Sequence, residues 1–364
     1  MDSNDNKNKP EAENSNWMRS VAKYNNPDLR RSLWQLFNSV VPYFIMWYLM
    51  YRSIGVSYWL TLALAIPTAG FMVRLFIIFH DCGHGSFFKS QRANSIVGII
   101  TGILTFTPYY HWRYEHAVHH ATSGDLDRRG VGDVWTLTVQ EYQKSSPWKR
   151  FMYRIYRNPV IMFGIGPLYM FLISHRFASR DVKNRERHSV YWTNLALLAI
   201  AVLMSLTIGL KAFLLIQLPI LIIAGSAGVW LFYVQHQFEG VYWERHEKWD
   251  FVTSALQGSS FYKLPKVIQW FSGNIGFHHI HHLSSRIPNY FLEKCHNENV
   301  VPQKVKPVTL RSSLKSLRFR LWDEEQGKLI GFHELDAFRK AYATKIIRLP
   351  VFTVGFPGNK NKQL

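Results

Sequence analysis

Gly276-Phe277-His278-His279-Ile280-His281-His282 is the stretch on which the reading of this chain turns. It sets His278, His281 and His282 in an H-x-x-H-H pattern, and the pattern recurs at His116, His119 and His120. A simpler pair, His80 and His84, lies upstream in His-Asp-Cys-Gly-His. Positions i, i+3 and i+4 share one helix face, so each cluster can aim its imidazoles at a common point. His279 falls off that face and is left out. A ninth candidate, His236 in Tyr-Val-Gln-His-Gln, ends a long apolar block. Of the 16 histidines in the chain, His111, His175, His188, His246, His296 and His333 stand outside these clusters and read as ordinary hydrogen-bonded side chains.

Neutral imidazole binds Zn, Fe, Cu or Ni, so ligand type alone does not name the metal. Nine nitrogens suggest two ions with four or five each, leaving a coordination position open. That suits iron better than closed tetrahedral zinc. Carboxylates commonly orient ligand imidazoles through the other ring nitrogen. Asp81, Glu115, Asp125, Asp127, Glu239 and Asp250 are the candidates by proximity in sequence, each equally readable as a surface acid.

Four blocks have the roughly 20 apolar residues that crossing a bilayer needs: Leu33 to Tyr51, Val56 to Phe79, Ser189 to Gly209 and Ala212 to Val234. Very short turns join them into two hairpins, with Pro42 and Pro67 inside the first. Two shorter blocks, Ile96 to Tyr110 and Pro159 to Ser174, are decided by parity. If either crossed the membrane, the histidine clusters would face opposite compartments and could not share a site. Both are therefore expected to be interfacial or re-entrant. Charge points the same way. The segment from Ala121 to His188 carries twelve Lys and Arg and the segment after Val234 nineteen, against one each in the two tight turns. The positive-inside rule then makes the histidine-bearing side cytosolic. Arg74 can snorkel to that side. The formal charge of +19 is thus accounted for by membrane orientation, without nucleic acid.

The expected architecture is an all-α integral membrane protein. Residues 1–31 form a disordered, basic cytosolic N-terminus, and 32–296 the membrane domain with cytosolic caps at 80–188 and 235–296. Residues 297–364 form a cytosolic lobe and tail. Mean hydropathy is only −0.10, because apolar blocks alternate with polar stretches. Two cysteines, Cys82 and Cys295, give no disulfide framework, and the polar N-terminus does not read as a signal peptide. Leu310 to Trp322 reads as an amphipathic helix, packed on the lobe rather than on the membrane surface.

The motifs HDCGHGSFF, WRYEHAVHHATSGDLDRRG and NIGFHHIHHLSSRIPNY resemble the three histidine boxes of the membrane fatty acid desaturases in spacing and order. RLFIIFHDC, GVWLFYVQHQFE, GSSFYKLPK and SLRFRLWDEE extend the similarity to the bacillar acyl-lipid desaturases over nearly the whole chain. The resemblance implies a di-iron enzyme of the cytoplasmic membrane that inserts a cis double bond into phospholipid acyl chains. Dioxygen would be the oxidant, and ferredoxin or flavodoxin the electron source. It favours the delta-5 position, with delta-12 as the alternative. Carried onto this chain, it assigns His80, His116, His120 and His281 to one iron. His84, His119, His236, His278 and His282 go to the other. Animal relatives carry an Asn one turn before the equivalent of His236, reaching the first iron through water. Phe232 stands there in this chain, leaving that iron without its fifth ligand. The H-x-x-x-H first box is one residue shorter than in the animal acyl-CoA enzymes, which places it with the acyl-lipid branch.

No side chain can break an unactivated methylene C–H bond, so a cofactor must carry that step while the protein supplies position and electronics. An apolar tunnel from the membrane to the metals is expected, lined by aromatic residues of the second and fourth blocks. A basic cytosolic face suits anionic headgroups and an acidic redox partner. No oligomeric state is specified. The nearest rival is a hydroxylase or ketolase on the same scaffold. A metal transporter or sensor would need acids or histidines inside the spans, and the four blocks contain none.

Overall fold

The computed structural model describes residues 20–335. Helix α1 (Leu29–Ile54) starts where the Asp28 carboxylate accepts the Arg31 N–H at 3.1 Å. A three-residue turn leads into α2 (Tyr58–His84), which ends at Gly85 in the left-handed region, φ 70°. Helix α2 thus runs past its apolar block and carries His80 and His84 on one face. Helices α3 (Gln91–Leu104) and α4 (Tyr109–Thr122) follow, then α5 (Pro147–Tyr156). Beyond a 62° bend a π-turn, Ile161–Ile165, leads into α6 (Gly166–Leu172). Helices α7 (Asn184–Thr207) and α8 (Leu210–His236) form a hairpin, and the short α9 (His278–Leu283) carries the last cluster.

Three of these helices, α2, α7 and α8, are long and apolar enough to cross a membrane, or four spans if the bent pair 147–156 and 161–176 is counted as one. Of the four expected spans, α2, α7 and α8 meet both length and apolar character, while α1 meets length alone. Its 26 residues cover about 39 Å, but Gln35, Asn38 and a run of Trp and Tyr dilute its apolar character. At 14 residues α3 rises only about 21 Å, too short to cross alone. Helices α1, α2 and α8 share a core of Tyr43, Met50, Ala69, Met72, Ile216 and Ile220. The outer face of α1 presents Leu33, Phe37, Phe44, Ile45 and Tyr48, and that of α7 presents Leu195, Leu198, Val202 and Leu206.

Three other expectations change. Residues 20–31 are not a loose extension: Val21 and Tyr24 are buried against Ile77, Ile275 and Leu283. The segment Met1–Asn16 and everything after 335 lie outside the described residues. The architecture is not purely helical, because among the described residues five short strands brace the cap: β1 (Leu137–Thr138), β2 (Phe261–Lys263), β3 (Pro307–Thr309), β4 (Leu321–Asp323) and β5 (Lys328–Ile330). Strand β4 lies between β1, parallel, and β5, antiparallel, while β2 and β3 pair in parallel. Finally, Leu310 to Trp322 is not one helix. Thr309 caps a single turn at Leu310–Ser313, a 3-10 segment follows, and Leu321 and Trp322 are drawn into β4.

Arg157 ties this lobe to the membrane helices. It is buried, and its guanidinium donates to Thr136 Oγ1 at 3.1 Å, Gln237 Oε1 at 3.0 Å, Tyr233 OH at 3.2 Å and the Phe319 carbonyl at 3.0 Å.

Candidate metal centre

Four pieces of backbone deliver the nine imidazoles to one place. Helix α2 supplies His80 and His84, α4 supplies His116, His119 and His120, α8 ends on His236, and α9 supplies His278, His281 and His282. The approach of α9 depends on Gly276, whose backbone passes so close to β2 that an added Cβ would lie 2.4 Å from the Tyr262 carbonyl oxygen. The Tyr262 N–H donates to the Gly276 carbonyl at 2.7 Å.

The ring nitrogens form two sets. His80, His84, His116, His120 and His281 make one, and His119, His236, His278 and His282 the other, each with its nitrogens within 4.8 Å of one another. This differs from the split implied by the resemblance: His84 stands with the first set, its ring centroid 4.7 Å from those of His80 and His120. The short first box explains it, since i, i+4 spacing on one helix keeps the two rings together. Phe232 packs 5.2 Å from His119 and from His236. The position without a fifth nitrogen is therefore in the four-histidine set, not the first. All four of those histidines are buried, whereas His84 and His120 are half-buried.

Within the four-histidine set, Nε2 of His236 lies 3.1 Å from Nε2 of His119 and 2.9 Å from Nε2 of His278, which lies 3.1 Å from Nε2 of His282. In the other set, Nε2 of His120 lies 3.1 Å from that of His116 and 3.0 Å from that of His281. His119 Nδ1 donates to Asp133 at 2.5 Å, so its Nε2 presents a bare lone pair. His80 Nδ1 is likewise held by Asp81 at 3.1 Å. Hydrogen bonding cannot satisfy one Nε2 facing two others; a shared cation can, and the donor set fits one. Burial holds His116, His120, His278, His281 and His282 well below the usual histidine pKa, which keeps them in the neutral form that ligates.

Of the proposed orienting acids only Asp81 touches a clustered histidine. Its other oxygen accepts from Asn289 N–H at 2.7 Å and Asn289 Nδ2 at 2.8 Å. Glu115 faces His111 and Ser179, Asp125 pairs with Arg128 and His246, and Asp127 with Arg245. Glu239 pairs with Lys315 at the surface, and Asp250 caps the helix Phe251–Gln257. Asp133 was missed by sequence proximity, being 13 residues beyond the second box. The signal was available in Gly130-Val131-Gly132-Asp133: Gly132 has φ 72°, and a Cβ there would lie 3.1 Å from that of His119. His279 is buried outside both sets, 5.4 Å from His296, and burial lowers its pKa to about 3. His175, read as an ordinary hydrogen-bonded side chain, is bonded to the backbone of Phe106 and also forms part of a cavity wall.

That cavity, about 350 Å³, lies against both sets through His80, His116 and His278. Met72, Val73 and Phe76 of α2 form one wall, Leu221, Gly225, Gly228 and Phe232 of α8 another, and Met170 and Phe171 of α6 a third. Its lining is more aliphatic than expected: of the long helices, α2 and α8 contribute one aromatic ring each, Phe76 and Phe232.

Residues 57–311 match the family described as fatty acid desaturase. The chain is 51% identical over 317 residues to a fatty acid desaturase of Bacillus subtilis strain 168, covering 87% of this chain and 90% of that protein. It is 28% identical over 255 residues to an sn-1 acyl-lipid omega-3 desaturase (ferredoxin) of Synechocystis, with 64% of each chain covered. To the sn-1 oleoyl-lipid 12-desaturase of the same organism it is 27% identical over 250 residues, covering 64% of this chain and 66% of that one. Histidine clusters gathered at the ends of helices long enough for a bilayer, and similarity across most of the chain, thus lead to one conclusion: this protein belongs to the fatty acid desaturase family, a family of oxidoreductases.

Proposed function

We propose that this protein is an acyl-lipid desaturase that inserts a cis double bond, at the delta-5 position, into phospholipid acyl chains of the cytoplasmic membrane. The observation that carries the reading is the convergence of nine imidazoles in two tight sets beside an apolar cavity wedged between bilayer-length helices. His80, His84, His116, His120 and His281 would hold one iron and His119, His236, His278 and His282 the other. Sets of four and five neutral imidazoles would leave a position for a further ligand, which suits iron better than closed tetrahedral zinc. When bound, the metal pair supplies, with dioxygen, the oxidising power to remove hydrogen from an unactivated methylene.

The chain's own residues do the rest. Asp133 and Asp81 fix the tautomers of His119 and His80. Met72, Val73, Phe76, Phe232 and Gly228 shape the apolar slot that holds the acyl chain and keeps water from it. Helices α1, α2, α7 and α8 span the bilayer, α1 with its exposed apolar stripe against lipid, and the bent pair α5–α6 enters without crossing. The basic segments then lie in the cytosol with the metals. A small acidic carrier such as ferredoxin or flavodoxin delivers electrons there, on the side where His84 and His120 are half-buried.

Expression in a host lacking unsaturated lipids, followed by mass-spectrometric location of any new double bond and metal analysis of the purified protein, tests this. New delta-5 unsaturation with iron bound is expected. Unchanged lipids from iron-loaded protein, or hydroxylated chains, would overturn it.

A further inference from the structure

Two glycines on the cavity side of α8 have different surroundings. A Cβ on Gly225 would lie 3.0 Å from Cβ of Pro167 and 3.3 Å from the Phe171 ring, so this glycine lets α6 pack close. A Cβ on Gly228 would meet nothing within 4 Å, yet Gly228 lines the cavity. Glycine inside a helix is destabilising relative to alanine, and at Gly228 neither packing nor a positive φ accounts for it. Leu221, Gly225, Gly228, Phe232 and Gln235 follow one another at helical spacing along the same stripe, all in the cavity wall. Phe232 touches His119 and His236, and Gly228 lies one turn, about 6 Å, further along the helix. The room in front of Gly228 is therefore the first stretch of the slot beyond the metals, opposite Met72, Val73 and Phe76.

We propose that Gly228 is a specificity-determining residue, its missing side chain being the space through which the methyl-terminal part of the acyl chain passes. The inference rests on the cavity being the acyl-chain site. A side chain at 228 points into open volume and does not collide with backbone, so it shortens the slot without disturbing the helix. Adding bulk rejects chains by length, because a single methylene in an apolar pocket is worth about 10- to 200-fold in discrimination.

The test compares wild type, Gly228→Ala and Gly228→Leu as metal-loaded protein in vesicles of saturated phosphatidylglycerol with progressively longer chains, the electron donor in excess. Metal content and thermal midpoint are measured on the same samples. Gly228→Leu is expected to lose activity progressively as the chain lengthens, the longest chains falling about tenfold or more relative to the shortest. Gly228→Ala falls between and unfolds at a slightly higher temperature. Equal loss at every chain length, or an unchanged profile with metals retained, overturns the proposal. If wild type makes no double bond in any vesicle, it is the desaturase reading that falls; if wild type is active and Gly228→Leu matches it at all lengths, only the role of Gly228 does.

Discussion

Replacing Asp133 with Asn should strip the four-histidine set of its metal while leaving the fold intact. One carboxylate oxygen accepts from His119 Nδ1 at 2.5 Å and the other from the Gly130 N–H at 3.0 Å. An amide offers one acceptor where the loop and the imidazole need two, so either His119 turns or the loop lets go. Losing such an orienting carboxylate typically costs 10- to 100-fold in metal affinity, about 1.4 to 2.7 kcal/mol. The four-histidine set has no spare nitrogen to absorb that loss, whereas the set containing His84 has five. Asp81→Asn provides the contrast. Asp81 is 1% exposed and also holds Asn289 through two hydrogen bonds. Hydrogen bonds to a charged group contribute about 1.5 to 3 kcal/mol each, so there folding suffers as well as metal binding. Dialysis against graded chelator followed by metal analysis should show Asp133→Asn releasing one of two ions at 10- to 100-fold lower chelator than wild type, with the thermal midpoint of the metal-free protein little changed. Wild-type resistance to chelator in Asp133→Asn would refute this account of the site.

Gly276→Ala should lower the thermal midpoint and weaken metal binding. The Tyr262 carbonyl must retreat from 2.4 Å, a cost of about 1 to 3 kcal/mol in overpacking, and a wild-type midpoint would contradict it. His279→Leu should keep metals and activity, since the imidazole lies outside both sets; complete loss of activity in folded, metal-loaded protein would count against the grouping. For metal-free protein, burial depresses the pKa of His278, His281 and His282 below the ordinary value of 6.5. Above that value neither state is protonated and these groups add no pH dependence. Below it the unfolded chain takes up protons that the folded one refuses, so stability falls by up to about 1.4 kcal/mol per pH unit for each. Thermal unfolding of chelated protein should show this loss on acidification, and metal should suppress it; a midpoint independent of pH would sink the prediction.

Cluster membership was readable because H-x-x-H-H and H-x-x-x-H at helical spacing leave few other geometries, and α4 and α9 follow it. How the histidines divide between two sets was not readable, since it depends on how α2 is rotated against α4. Asp133 escaped because its approach to His119 depends on the backbone freedom of Gly130 and Gly132 rather than on sequence distance. Three of the long helices announce themselves by composition. In α1 the inward face carries Gln35, which donates to Asn289 at 2.9 Å, and Ser39, which accepts from Arg74 at 3.1 Å. The polar residues that lower its hydropathy are those that hold the neighbouring helix and the Asp81 network. Leu310 to Trp322 misled because helical spacing of apolar residues is also what a capped turn followed by a strand can show, and one partner of that strand, β1, is far away in sequence.

Arg157 makes the apparent seam before residue 297 a poor place to cut. Its guanidinium is shut away from water among uncharged acceptors, one of which, the Phe319 carbonyl, comes from the C-terminal lobe, while another, Gln237, adjoins His236. Shortening the chain ahead of Phe319 would also remove the strand that β1 pairs with and uncover a cation whose remaining contacts lead straight to the end of α8. The lobe is thus the floor on which the third histidine-bearing segment, the end of α8, stands, and a version cut ahead of Phe319 would loosen the histidine sets before its helices came apart.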